Sequence, residues 1–237
     1  MFREPPEPLL PIVLSANPHT VKRPHFHWGA ALKQTSVLLG IEHTFRMTQE
    51  KTRVELGGPF FHDWWNSIGG FSGWTDGDSV FTQYIGHPMQ GAWVGYIQVQ
   101  NDPSARDLRF NEGAAYWHSR LRAMVFAAAY EVQWHLGPLS EASIGNVGEK
   151  PETLGMSEFI TSPLGGFGLM IAEDALDRFV TQRVEQNHHA EKVKVRLLRT
   201  LLNPNRSFAN ILRGKVPWYR DNRDLWGNPT PPSIWKP

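Results

Sequence analysis

His87 sits in the step Gly86-His87-Pro88, shortly after the turn Asp76-Gly77-Asp78. An imidazole with a carboxylate in reach can serve as a general base, a proton donor or a metal ligand. His87 with Asp76 or Asp78 is therefore the first candidate catalytic pair. Glu131 and Glu141 are the candidates for a second acid–base group. Glu131 follows the apolar run Ala123–Tyr130, and a carboxylate in such a setting needs a partner or a raised pKa. A structural Glu–Arg pair is the competing expectation for Glu131. Glu42, His43 and Arg120 are candidate ligand-binding residues. Glu42 and Arg46 are also spaced as an ion pair along one helix face.

Other chemistries lack their residues. Asp76-Gly77-Asp78 begins like a calcium loop, but Ser79 to His87 adds no carboxylate. His25-Phe26-His27 and His188-His189 have no third ligand at useful spacing, and no HExxH motif occurs. Ser162 to Gly168 is glycine-rich but has neither the lysine nor the preceding strand of a phosphate-binding loop. With no cysteine in the chain, thiolate metal sites and Cys nucleophiles are excluded. The expectation is no metal and no cofactor. Lys194, Arg196, Arg199, Arg206, Arg213 and Lys215, interleaved with leucines and followed by Trp218, suit an anionic membrane surface. They suit equally a pair of amphipathic helices packed on the body with a wet basic face. A net charge of +1 gives no overall attraction for nucleic acid.

The elements that must position these residues read as helices. Apolar steps of three and four predict one helix from Trp28 to about Gln49 and another, the longest, from Asn111 to Trp134. In the second, Tyr116, Leu121, Met124, Val125, Ala128 and Val132 form the expected apolar face. A short helix at Phe60–Trp65 stops at Gly69-Gly70. Asp78 is the expected N-cap and Pro88 the first turn of a helix running to about Gln100. Gly91 and Gly95, one turn apart, leave a bare face that another helix can approach closely. After a Gly- and Pro-punctuated loop over 137–156, a helix interrupted at Ser162–Gly166 continues to about Gln186. Two short helices follow at Lys192–Leu202 and Ser207–Leu212.

No strand alternation is sustained and no repeat has a fixed period. The expected fold is mainly α: a single helical-bundle domain of about five or six helices with glycine-mediated packing. Residues 1–26, rich in proline, read as an extended arm. Residues 27–190 form the helical core. Residues 191–237 carry the basic amphipathic helices and an extended aromatic, Pro-rich tail. A composition 41% hydrophobic and 12% aromatic is ample for such a core. No run of apolar residues is long enough for an ordinary membrane span, and no signal peptide is legible at Met1. Ser79 to Asn101 lacks Asp, Glu, Lys and Arg but carries four glutamines, a histidine and an asparagine, which disfavours lipid exposure.

The segments DGDSVFTQYIGHPMQGAWVGYIQVQND, GPLSEASIGN and FITSPLGGFGLMIAEDALDRF resemble, in that order, a family of uncharacterised Gram-negative envelope proteins, over roughly residues 60–180. The resemblance implies a helical domain located in the cell envelope, periplasmic or membrane-associated, and brings no reaction with it. The expected role is a membrane-associated binding or scaffolding protein whose partner is a membrane surface or envelope component. The rival is a hydrolase of a lipid or envelope substrate with His87 as general base. Convergence of His87 and a carboxylate on one pocket separates the two.

Overall fold

The computed structural model of the chain describes residues 25–49, 52–53, 57–71, 73–150, 153–187 and 191–230. Among these residues the structure is a helical bundle with no strand. Most of the expected N-terminal arm, the pair His188-His189 and residues 231–237 lie outside them. The helices are α1 (Trp28–Arg46), α2 (Phe60–Gly69), α3 (His87–Asn101), α4 (Gly113–Leu136), the short α5 (Glu141–Ile144), α6 (Ser157–Leu176), α7 (Gln182–Glu185), α8 (Lys192–Leu201) and α9 (Pro204–Leu212). A π turn at Thr82–Gly86 leads into α3, and a second at Asp177–Thr181 joins α6 to α7.

α3 is the axis. Nearly every one of its residues is buried, and it packs most extensively against α6 and α4. Its amides find partners rather than lipid: Asn101 Nδ2 donates to Gln34 Oε1 at 3.1 Å on α1, and Gln100 Nε2 to Asn210 Oδ1 at 3.1 Å on α9. Gly91 is the point of closest approach. A Cβ there would fall on the Ser162 carbonyl oxygen, and one on Gly166 would lie 2.5 Å from the Gly91 carbonyl carbon. Pro88 faces Gly165 and Gly95 faces Met170, so α3 and α6 run side by side in the same direction. α4 runs the other way, its Tyr116 and Arg120 near Asp174 and its Glu131 and His135 near His87.

Several expectations change in detail. α6 is not interrupted at Ser162–Gly166. Pro163 removes one helical N–H, and the close seat of this turn on α3 keeps the helix continuous. The segment before α3 is already helical from Val80, with the Ser79 hydroxyl, not Asp78, accepting the Thr82 N–H at 3.1 Å. Pro88 therefore follows a π turn, where the extra residue accommodates its ring. α4 reverses its expected face. It buries Tyr116, Ser119, Arg120, Ala123, Ala127, Tyr130, Glu131, Trp134 and His135, and exposes Leu121, Val125 and Val132.

The described part of the C-terminal third packs on the core. The acids of the α6–α7 run hold it. Asp174 accepts from Tyr96 Oη at 3.2 Å, Tyr116 Oη at 2.9 Å, Arg120 Nε at 2.7 Å and from Arg206. Asp177 binds Arg223 at 2.7 Å and Arg220 at 3.2 Å, and Glu185 binds Arg199 at 2.7 Å and Arg223 at 2.6 Å. Glu173 accepts the backbone N–H groups of Asn205 and Arg206 at the start of α9. Arg213 pairs with Asp221 at 2.8 Å. Arg199, Arg206 and Arg213 are thus spent inside the protein, while Lys194, Arg196 and Lys215 keep exposed positions and Trp218 is half-buried beneath Arg196.

Two outcomes follow. Gly91→Ala forces α3 from α6 and should cost toward the upper end of the roughly 1–3 kcal/mol of overpacking, read as a lower denaturation midpoint. Burial alone would raise the Asp177 carboxyl, but Arg220, Arg223 and Arg206 outweigh it and hold it well below its usual range. Its contribution is therefore present above the unfolded value of about 3.9 and is lost as pH falls through the depressed folded value. Asp177→Asn should cost about 3–5 kcal/mol at neutral pH, and its deficit against the wild type should shrink in melts below about pH 4.

Candidate functional site

The N-terminal ends of α3 and α6 and the C-terminal end of α4 meet in a buried cluster of acids and imidazoles. His87 enters from the first turn of α3, Glu158 from the first turn of α6, and Glu131 and His135, one turn apart, from α4. Gln83, in the π turn, fixes the start of α6 by donating to the Ser157 hydroxyl. The short α5, closed by a reciprocal Ser140–Ser143 capping box, brings Glu141 to His135. Arg46, at the end of α1, closes on Glu141 at 2.9 Å.

Glu158 bridges the two histidines, with Oε1 at 2.9 Å from His87 Nε2 and Oε2 at 2.7 Å from His135 Nε2. Glu131 Oε1 lies 3.8 Å from His87 Nδ1 and 4.0 Å from His135 Nε2. His135 Nδ1 meets Glu141 Oε2 at 2.8 Å, and His87 Nδ1 meets Gln90 Oε1 at 3.2 Å. Asp78 Oδ2 stands 3.7 Å from His87 Nε2. Asp76 Oδ1 accepts the Asp78 N–H at 3.0 Å, which closes the turn and holds both carboxylates over the cluster. The ligand atoms of His87, His135 and Glu158 lie within 4.8 Å of one another, as do those of Asp76, Asp78 and Glu158. Both sets have the composition of a metal-binding group.

The electrostatics follow from dense packing of charge out of water. Burial pulls His87 down, but Asp78 and Glu158 more than offset it and push it up to about 11. His135 is likewise desolvated and is carried well above its ordinary value by Glu158 and Glu141. Burial would raise Glu158 and Glu141, yet His135 holds the first well below the carboxylate range, and Arg46 with His135 lowers the second. Three other acids move the other way. Desolvation raises Glu131 to about 7, Asp76 to about 7 with Glu158 adding repulsion, and Glu42 to about 8 despite the 2.6 Å hydrogen bond from Tyr130 Oη. Acids raised toward neutrality and imidazolium charge therefore stand side by side, the arrangement acid–base chemistry uses.

A cavity of about 390 Å³ opens against this cluster. Glu42, Arg46, Asp76, Asp78, His87 and Glu141 form its polar side, and Ile41, Phe45, Trp93 and Trp134 its apolar wall. The five sequence candidates for catalysis thus converge: four line the cavity, and Glu131 lies behind His87. Of the ligand-binding candidates, Glu42 lines the cavity. His43 stacks on Trp134 at 4.9 Å and contacts the Leu139 carbonyl. Arg120 lies at the far end of α4, locked to Asp174. Neither expected Glu–Arg pair forms. Arg46 takes Glu141 instead of Glu42, and Glu131 faces histidines.

His135, Glu158, Gln90 and Tyr130 are the site residues the sequence candidates omitted. Glu131 and His135, four apart beside the run Ala123–Tyr130, were the available signal, since one helix turn puts both on the same inward face. Glu158 carried none beyond its place at a helix start. No known protein family, curated protein or solved structure matches this chain.

Proposed function

We propose that the protein works at a membrane surface and hydrolyses an amphipathic, lipid-like molecule drawn into the cavity beside His87. The observation that carries this reading is the convergence of His87, Asp76, Asp78 and Glu141 on one cavity that is also lined by Ile41, Phe45, Trp93 and Trp134. An acyl or similar chain lies along Ile41, Phe45 and Trp93, and the bond to be cleaved lies against the polar side. Asp76 or Asp78 takes the proton of the attacking water. The His87 imidazolium, held charged by its two carboxylates, opposes the developing negative charge and protonates the leaving group. This makes His87 the acid, where its sequence position suggested the base.

The membrane part of the reading rests on the outer faces. Trp28, Leu32, Ile41 and Phe45 on α1, Phe61 and Trp65 on α2, and Leu121, Val125 and Val132 on α4 are all exposed, Phe61 at 78% and Trp65 at 76%. Each forfeits roughly 1.5–3 kcal/mol of burial in water. The bundle keeps its polar residues inside and turns these side chains out. Among the described residues no helix is long and apolar enough to cross a membrane, so the proposed contact is with one face of the bilayer. Ile41 and Phe45 belong both to this surface and to the cavity wall, which gives a lipid a direct path in. The binding or scaffolding role is the second reading, favoured by Glu141, whose oxygens are taken up by Arg46 and His135.

The test is release of fatty acid from an ester lipid in anionic vesicles, set against a short soluble ester. Hydrolysis should be faster on the vesicles. His87→Gln and the more exposed Asp78→Asn should each lower kcat by about 100-fold or more with the helical circular dichroism unchanged. Vesicle binding without turnover would put the scaffolding role first, and variants that lose helicity would mark His87 as structural.

A further inference from the structure

We propose that His87, His135 and Glu158, completed by Glu131, bind a divalent first-row transition-metal ion such as Zn²⁺. The orientation of the two imidazoles argues for it. His135 Nδ1–H donates to Glu141, itself clamped by Arg46, and His87 Nδ1–H donates to Gln90 Oε1. Each ring is thereby fixed with Nε2 turned toward Glu158, the carboxylate–histidine arrangement that orients a ligand toward a metal. The ligand atoms are gathered within 4.8 Å.

The contacts among these atoms are those of ligands without their ion. Both Nε2 atoms stand against the two Glu158 oxygens, at 2.9 and 2.7 Å, and Glu131 Oε1 lies 3.8 and 4.0 Å from the two rings. All lie out of solvent, His135 at 0% and Glu131 and Glu158 at 1% exposure. Imidazole nitrogens and carboxylate oxygens converging on one point out of solvent are the donor set a metal ion takes. The Asp174–Asp177–Glu185 group is the internal comparison: arginines already fill its carboxylate oxygens, so it has no vacancy for a cation.

Two imidazoles with carboxylates and no thiolate suit Zn²⁺, Fe²⁺ or Mn²⁺ over the oxygen-seeking Ca²⁺ and Mg²⁺. His87 borders the cavity, which leaves one side of the ion toward it, as in catalytic sites. An ion there supplies a Lewis acid and an activated water. Bound metal replaces the imidazolium protons, so that His87 becomes a neutral ligand and the acid–base work passes to Asp76 and Asp78. The ion-binding proposal does not depend on what the cavity takes in.

The test is calorimetric titration of the chelator-stripped full chain with Zn²⁺, and separately Mn²⁺ and Fe²⁺, with no substrate present. One ion per chain is expected for at least one of the three. Glu158→Gln and His135→Ala should weaken it about 100-fold or more. Glu141→Gln, at a positioning residue, should weaken it about 10–100-fold. His25→Ala should change nothing. If His135→Ala unfolds, His87→Ala at the cavity wall gives the same reading. The absence of stoichiometric binding of all three ions, or binding indifferent to Glu158→Gln, overturns the proposal. Ester hydrolysis is measured separately, with and without the ion, so that failure of metal binding and failure of hydrolysis are read apart.

Discussion

Two helix backbones in contact at Gly91 and Gly166 set the geometry of everything else. With no side chains between them, α3 and α6 run side by side and start at the same level. His87 and Glu158, each in the first turn of its helix, are thereby brought within hydrogen-bonding range. α4, running the opposite way along the pair, adds Glu131 and His135 at that end and Tyr116 and Arg120 at the other. A side chain at either glycine would separate α3 from α6 and both polar clusters would lose their spacing.

The two clusters are made of the same kinds of residue and are used differently. At the C-terminal end of the α3–α6 pair, acids meet arginines in fork geometry with their oxygens occupied, and the outcome is a clamp on α8, α9 and the chain that follows. Burial of charge on this scale is tolerable only because the pairing is near complete. At the N-terminal end the acids meet imidazoles, which titrate, bind metals and leave oxygens over. That end also has the cavity. The first cluster is closed by arginines, and the second stands open to the cavity.

The main helix positions and the close-packed glycine face were legible because each has a local signature: three- and four-residue steps, glycines one turn apart, Gly and Pro at the ends. Two things were not. The inward face of α4 was assigned to Leu121, Val125 and Val132 on the rule that apolar residues face the core, but the interior has more polar demand than apolar. Arg120, Glu131 and His135 have partners waiting on α3 and α6, so the aliphatic residues turn out. The sequence left the arginines of the last third open between a membrane-facing surface and a packed pair of helices, because their partners, Asp174, Asp177 and Glu185, are distant in sequence. His87, Asp76 and Asp78 were found from their turn and breaker context. Glu158 and His135 depend on three helices meeting, and no spacing along one chain segment announces that.

If the N-terminal cluster is a working site, its desolvated Glu131 carboxyl is kept at a cost to stability. The most direct measurement is the thermal melt of Glu131→Gln beside the wild type, both free of metal. A melting temperature equal to or above the wild type's is expected, because the substitution removes a carboxyl that burial already penalises when charged, raising it to about 7, while keeping the shape of the side chain. A fall equivalent to about 3–5 kcal/mol, as expected when one partner of a buried ion pair is deleted, would contradict it and make Glu131 part of a structural network like the one around Asp177.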